Sequence, residues 1–261
     1  MAILLTNDDG IDAPGLAALA QGLAGLDALH VSAPDRNMSG VGMGITISRD
    51  LKATRHPDGA AGEARHSLDG TPADAAKYGI QKILADDPPR LVVSGINYGP
   101  NLGVNIRCSG TLGAAFEAVS SGLNALAVSV EYVENPNWEG AKFYARKMAE
   151  MLLALPPGGE PFVLNLNVPS RNPEDIRGLV TARNGRGGFC DRLHNAGGDT
   201  FRLEPDWIRV DDDSDCDSAA FDAGYAVVTP LRFEMTHDTM LDELCRIWNS
   251  QVSPFRPGAP D

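Results

Sequence analysis

Residues 3–10 read Ile-Leu-Leu-Thr-Asn-Asp-Asp-Gly, an apolar run that ends in two adjacent acids and a glycine. Such a run predicts a buried strand that delivers two carboxylates to its carboxyl end, where open α/β sheets bind their ligands. Side by side, two carboxylates repel unless a cation or strong donors compensate. Hard oxygen ligands of this kind suit Mg²⁺ or Mn²⁺. Adjacent residues of a regular strand point to opposite faces, so Asp8 and Asp9 can share an ion only where the strand stops being regular. Gly10 permits that turn. A plainer reading is a turn at Asp9-Gly10 with Asp8 capping the next helix, and the motif alone leaves both open.

Three more polar segments follow a predicted strand or open a helix: Asn37-Met38-Ser39-Gly40, Ser94-Gly95-Ile96-Asn97 and Ser109-Gly110-Thr111. If the four loops meet, Asp8, Asp9, the Ser39 hydroxyl and the Asn97 amide oxygen form an all-oxygen shell completed by water. Ser109-Gly110-Thr111 opens a helix, whose free amides and dipole favour an anion. A carboxylate-held cation beside an anion-binding helix start is the layout of phosphate-ester hydrolysis. Taken singly, each segment has a plain structural reading. Ser109 and Thr111 serve as helix caps, Asn97 makes an Asx-turn, and Ser39 carries no signal by itself.

The elements that must position these loops alternate. Strands are predicted at 2–7, 29–33, 91–93, 125–130, 162–167 and 225–230. Helices are predicted at 14–26, with Pro14 in the first turn, at 72–85, capped by Thr71, and at 111–121, 138–153 and 238–249. Segments 45–54 and 63–68 flank Pro57-Asp58-Gly59 as a loose hairpin. The alternation predicts a Rossmann-like, mainly parallel sheet with helices on both faces. Residues 1–169 form the expected catalytic core. Residues 170–261 add strands, an arm and a closing helix to the same unit, as an elaboration for oligomerisation. The acidic run at 211–217 reads as a solvated loop, since it lacks the spacing of a calcium loop. The tail at 254–258 reads as disordered.

With 261 residues, 43% of them hydrophobic, the chain can bury a large core, and a net charge of −13 argues against a polyanion-coating surface. A nucleic-acid polymer is therefore not an expected partner. No basic or long apolar N-terminal segment suggests a signal peptide, and no apolar run approaches a membrane span, so a cytoplasmic protein with no membrane partner is expected. Cys108, Cys190, Cys216 and Cys245 show no zinc-type spacing and read as free thiols of a reducing compartment. The five histidines form no HxH or HExxH pattern, so zinc is not expected.

The chain resembles the SurE family, the survival-protein-E nucleotidases. The matching pieces are ILLTNDDGIDAPGL at 3–16, APDRNMSGVG at 33–42, LDGTPADA at 68–75, SGINYGPNLG at 94–103, SGTLGAAFEA at 109–118, ALAVSV at 125–130, VLNLNVP at 163–169 and GYAVVTPL at 224–231. The resemblance implies a phosphatase of nucleoside 5′- and 3′-monophosphates, and of short polyphosphate, that depends on one divalent cation per subunit, Mg²⁺, Mn²⁺ or Co²⁺. It places the metal ligands at Asp8, Asp9, Ser39 and Asn97, with Asp8 and Asp9 as the catalytic pair. Phosphate or substrate contacts are expected from Asn37, Asn101, Ser109, Gly110 and Thr111. It also implies a homodimer or homotetramer built by arm exchange. Residues 184–217 depart from the family's arm, with only Trp207 and Ser214-Asp215 as remnants. Two other functions compete: an aspartyl-phosphate phosphatase, and a non-enzymatic Mg²⁺-binding nucleotide sensor. The first typically presents Asp-x-Asp where this chain has adjacent acids. The second leaves the Ser-Gly-Thr helix start unexplained.

Overall fold

The apolar runs pair into one nine-stranded sheet in the computed structural model, which describes residues 2–156, 158–189, 192–204, 207–208 and 214–248. The first half comprises β1 (Ala2–Thr6), α1 (Pro14–Leu23), β2 (Ala28–Pro34), β3 (Ala53–His56), β4 (Ala64–Leu68), α2 (Pro72–Tyr78), β5 (Leu91–Tyr98), α3 (Gly110–Ser120) and β6 (Ala125–Val130). There follow α4 (Glu139–Ala154), β7 (Val163–Val168), β8 (Leu179–Thr181), β9 (Gly188–Phe189), β10 (Arg192–Gly197), β11 (Thr200–Glu204) and β12 (Trp207–Ile208). The last elements are α5 (Asp217–Asp222), β13 (Ala226–Leu231) and α6 (Asp238–Trp248). The sheet order is β3-β4-β2-β1-β5-β6-β7-β13-β8. Its centre, β4 to β7, is parallel throughout, while β3 and β13 run antiparallel to β4 and β7. The order reverses at β1, which pairs with β2 on one side and β5 on the other. Such a switch point is where an open α/β sheet leaves a crevice. The architecture is the α/β, Rossmann-like fold expected from the sequence.

Parallel strands covered on both faces read as continuous apolar runs, and β1 is buried along its whole length. Ile3 and Leu5 face the layer of α1 and α4, where Leu16, Leu19, Leu23, Ala145 and Met148 join one core. Leu4 faces the other layer with Ile80, Leu112, Ala115 and Phe116. Each large side chain buried in this way contributes about 1.5–3 kcal/mol. Thr71 and Asp74 start α2 with a reciprocal capping box, at 3.1 and 2.9 Å.

Several elements depart from expectation. The short strand at 91–93 continues to Tyr98, so the Ser94–Asn97 segment lies in β5 and not in a loop, with a register shift against β6 between Ser94 and Asn97. The first strand of the hairpin is only Ala53–His56, and residues 45–52 are irregular. The helix expected at 72–85 changes after Tyr78 into a π-helical segment, Gly79–Ile83. At the end of the acidic run Asp217 is fully buried, accepting the backbone N–H of Gly103 at 3.0 Å and of Gly185 at 2.9 Å. That part of the run is a structural anchor rather than a solvated loop; residues 211–213 lie outside the described residues, as does the tail at 254–258. Helix α6 does not close over the core, for Met240, Leu241 and Ile247 remain exposed. Cys108, Cys216 and Cys245 are free thiols, and Cys190 lies outside the described residues. No helix of the described residues is long and apolar enough to cross a membrane.

Candidate active site

Strand β1 ends at Thr6, and the chain turns at once. Asn7 makes the turn: its side-chain amide donates to Gly10 O at 2.9 Å and its Oδ1 accepts from Gly10 N at 3.2 Å. Gly10 sits at φ 104°, and a Cβ there would stand 3.0 Å from the Arg36 carbonyl carbon. Regular alternation is therefore broken where the acids need it broken. Asp8 is not a helix cap, since Ala13 occupies that position before α1 and has no side-chain bond.

Asp8 is buried, and its Oδ1 accepts the Thr111 hydroxyl at 2.6 Å. Its backbone carbonyl receives Met38 N at 2.7 Å, which brings the 37–40 loop alongside. Asp9 is half-buried. Its Oδ1 accepts Asn37 Nδ2 at 3.1 Å and the Ser39 hydroxyl at 3.4 Å, and its Oδ2 takes Tyr98 N at 3.4 Å. Asn37 in turn accepts Ser39 N at 2.9 Å. Burial pushes the Asp8 carboxyl up to about 6, and the neighbouring Asp9 charge adds to the rise, while Thr111 opposes it. Burial raises Asp9 as well, against the bonds from Tyr98, Ser39 and Asn37.

A cavity of about 240 Å³ opens between the loops, walled by Asp8, Ser39, Asn97, Asn101, Arg107 and Ser109 among others. Asn97 donates its amide N–H to Gly99 O at 2.6 Å, and that bond leaves its amide oxygen as the atom suited to a ligand. At the start of α3 the Ser109 hydroxyl accepts Leu112 N at 3.2 Å, an ordinary cap. Gly110 is pressed against the acid, as a Cβ there would lie 2.7 Å from Asp8 Cβ and 3.0 Å from its Oδ2. Thr111 is fully buried with its hydroxyl on Asp8, so it orients that carboxylate rather than facing the cavity. Asn101 lines the cavity while its peptide group is held from β7.

The structure thus brings together Asp8, Asp9, Asn37, Ser39, Asn97, Asn101, Ser109, Gly110 and Thr111. Sequence reasoning assigned no role to Asn7, Arg107, Asn165 or Asn167. Among the described residues Arg107 is the one Lys or Arg side chain on the cavity wall. Only Asn7 carried a local signal, as part of the Asn-Asp-Asp-Gly turn. The donor set fits a hard divalent cation. Two adjacent carboxylates, Asp8 buried and Asp9 half-buried, have no Lys or Arg ion-pair partner among the described residues, and oxygen atoms of Ser39 and Asn97 stand with them. No group of three or more His, Cys, Asp or Glu among the described residues is arranged to hold a metal ion, which leaves this mixed oxygen set as the candidate.

The family model described as Survival protein SurE matches residues 3–190. The 5′-nucleotidase SurE of Desulforamulus reducens is 40% identical over 243 residues, covering 90% of this chain and 94% of the relative. That of Moorella thermoacetica is 36% identical over 256 residues, covering 94% and 95%. A crystal structure of the SurE protein from Aquifex aeolicus superposes with a TM-score of 0.81 at 32% identity, covering 95% of this chain and 99% of that one.

Proposed function

The chain belongs to the survival protein SurE family, and from that premise we propose that it is a nucleotidase that depends on one divalent cation per subunit and hydrolyses nucleoside 5′- and 3′-monophosphates, with short polyphosphate as a further substrate. The observation that carries the metal is the adjacent carboxylate pair, Asp8 buried on the cavity wall and Asp9 half-buried beside it, with no Lys or Arg ion-pair partner among the described residues. Asp8, Asp9, Ser39 and Asn97 would hold Mg²⁺, Mn²⁺ or Co²⁺. That ion supplies neutralisation of phosphoryl charge and activation of water. The protein's own groups do the rest. Thr111 aims Asp8, and Asn37 and Tyr98 N aim Asp9. The backbone amides at the start of α3 favour the phosphate. Arg107 and Asn101 stand on the wall where the rest of the substrate must lie. A homodimer or homotetramer joined through the 184–217 segment belongs to the same reading. Among the described residues, Leu193, Phe201 and Leu203 of the β10–β11 hairpin are exposed.

The test is phosphate release from a panel of 5′- and 3′-nucleotides, with exhaustive chelation and metal add-back. Release that stops on chelation and returns with Mn²⁺, Mg²⁺ or Co²⁺ is expected. Full activity in verified metal-free protein overturns the metal, and no release from any nucleotide overturns the nucleotidase.

A further inference from the structure

The segment VLNLNVP at 163–169 contributes no side chain to the cavity wall, yet it carries two fully buried asparagines. Asn165 and Asn167 stand two apart on β7, so they point to one face of the sheet. Both reach the same peptide group. Asn165 Nδ2 donates to Asn101 O at 2.8 Å, and Asn167 Nδ2 donates to it at 3.1 Å. Asn101 N donates back to Asn167 Oδ1 at 2.7 Å. The Asn101 side chain is tied down as well, its Nδ2 donating to Ser129 Oγ on β6 at 3.0 Å. The segment that follows β5 is thus clamped at its middle by side chains from the two neighbouring strands. Gly99 N bonds Val130 O at 3.0 Å on one side of this clamp, and Gly103 N bonds Asp217 on the other.

This arrangement is poor design for stability alone. Asn165 Oδ1 is buried without a hydrogen-bond partner, and so is Thr229 Oγ1 on the residue paired with it in β13. An unsatisfied buried polar atom costs about 1–3 kcal/mol. An apolar side chain at this buried position would avoid that penalty. What the two asparagines secure is the path of the chain between Asn97 and Asn101.

We propose that Asn165 and Asn167 are positioning residues of the active site: by clamping the Asn101 peptide they fix the segment that presents Asn97 to the cation and Asn101 to the cavity. The proposal rests on the metal-dependent reading above. Partners that bond a metal ligand directly are worth about 10–100-fold in affinity or activity; the two asparagines act on Asn97 through Asn101, so the lower end of that range applies. Neither asparagine titrates, so their loss should lower activity equally across the pH range and leave the shape of the pH profile unchanged.

The experiment uses Asn167→Ala, which removes two of the three bonds to the Asn101 backbone, and Asn165→Val, which removes one bond and the unsatisfied oxygen. Mn²⁺ affinity is measured by calorimetry without nucleotide, kcat is measured on AMP, and stability is measured by urea unfolding. For Asn167→Ala, Mn²⁺ affinity and kcat should each fall about 10-fold. Asn165→Val should show a smaller loss in both together with unchanged or higher stability, a combination that a merely structural role does not give. Should Asn167→Ala fail to fold, Asn165→Val decides alone. Folded variants with wild-type Mn²⁺ affinity and kcat overturn the positioning role. Wild-type protein that binds no Mn²⁺ overturns the metal reading instead.

Discussion

Replacing Asp8 with Asn should abolish most activity and at the same time stabilise the metal-free protein at neutral pH. In the unfolded chain Asp8 titrates near its ordinary 3.8, and in the fold burial raises it to about 6. Below pH 3.8 both states hold the proton and the carboxyl carries no penalty. As pH rises from about 4 to 6 the folded state retains a proton that the unfolded state has lost, so stability falls. Above pH 6 the penalty is complete, and the interval from 3.8 to about 6 corresponds to about 3 kcal/mol. Asparagine removes the charge and keeps an acceptor for the Thr111 hydroxyl. Its amide N–H₂ must find a place beside Gly110, so a recovery of about 1–2 kcal/mol is expected, within the limit of about 3. The measurement is urea unfolding of wild type and Asp8→Asn in chelator, from pH 4 to 8. The advantage of the variant should be small at pH 4, grow through pH 6 and then level. Phosphate release should fall by more than the about 10–100-fold typical of losing an outer-shell partner. A variant less stable than wild type at pH 7.5, or a difference that does not change with pH, would refute the electrostatic account of Asp8.

Other perturbations test neighbouring parts of the site. Thr111→Val removes the hydroxyl bond that holds the Asp8 carboxyl down, so in chelator that carboxyl should rise further and the fall of stability with pH should extend to higher pH; an unmoved stability profile would make Thr111 a packing residue only. Gly110→Ala sets a Cβ against Asp8 and 3.0 Å from Pro72 Cγ, so it should lower stability by about 1–3 kcal/mol and reduce Mn²⁺ affinity, checked by unfolding and calorimetry. Deleting 186–212 should reduce the mass seen by light scattering, and a wild-type chain that is already monomeric at micromolar concentration would overturn the assembly.

The sheet was legible because its signal is physical and local. Strands such as β1 and β6 are nearly continuous apolar runs, interrupted only by Thr6 and Ser129, as burial on both faces favours. Pro14 and Thr71 mark the helix starts they were read to mark. The polar residues at strand ends were also legible, since a strand–turn pattern places Asp8, Ser39 and Asn97 near one edge of the sheet. Three things were hidden. The Ser-Gly-Thr start of α3 reads the same whether Thr111 caps a helix or orients an acid, because the choice depends on what lies across the interface. Asn165 and Asn167 alternate with Leu164 and Leu166 like the polar face of a half-exposed strand, and only the covering elements reveal that they are buried. Asp217 ends a run of acids that looks solvated, and its burial follows from Gly103 and Gly185, which are far from it in sequence. In the arm Phe201 is exposed, while the side chains of Phe189, Trp207 and Ile208 lie outside what is described.

A buried carboxylate pair is unfavourable in isolation, so something in the fold must hold it in place. Helix α3 does so through its contact with β1. Gly110 touches the Asp8 side chain and Thr111 bonds it. Next along the helix, Leu112, Ala115 and Phe116 pack into the core that Leu4 shares. Burying large side chains there contributes about 1.5–3 kcal/mol each, enough to offset a penalty of about 3 kcal/mol at Asp8. The helix that anchors the acid is also the one whose free amides would receive the phosphate in the proposed function. Packing, carboxylate orientation and anion binding are therefore coupled through a single helix start. A change deep in that interface, such as Leu112→Ala, should reach the site by loosening the contact between Gly110 and Asp8. It should weaken Mn²⁺ binding as well as stability, whereas an equal loss of stability from the α1–α4 layer, such as Leu19→Ala, should leave Mn²⁺ affinity unchanged. Equal effects of the two substitutions on Mn²⁺ affinity, measured where both variants are folded, would show that α3 has no such special hold on the acid.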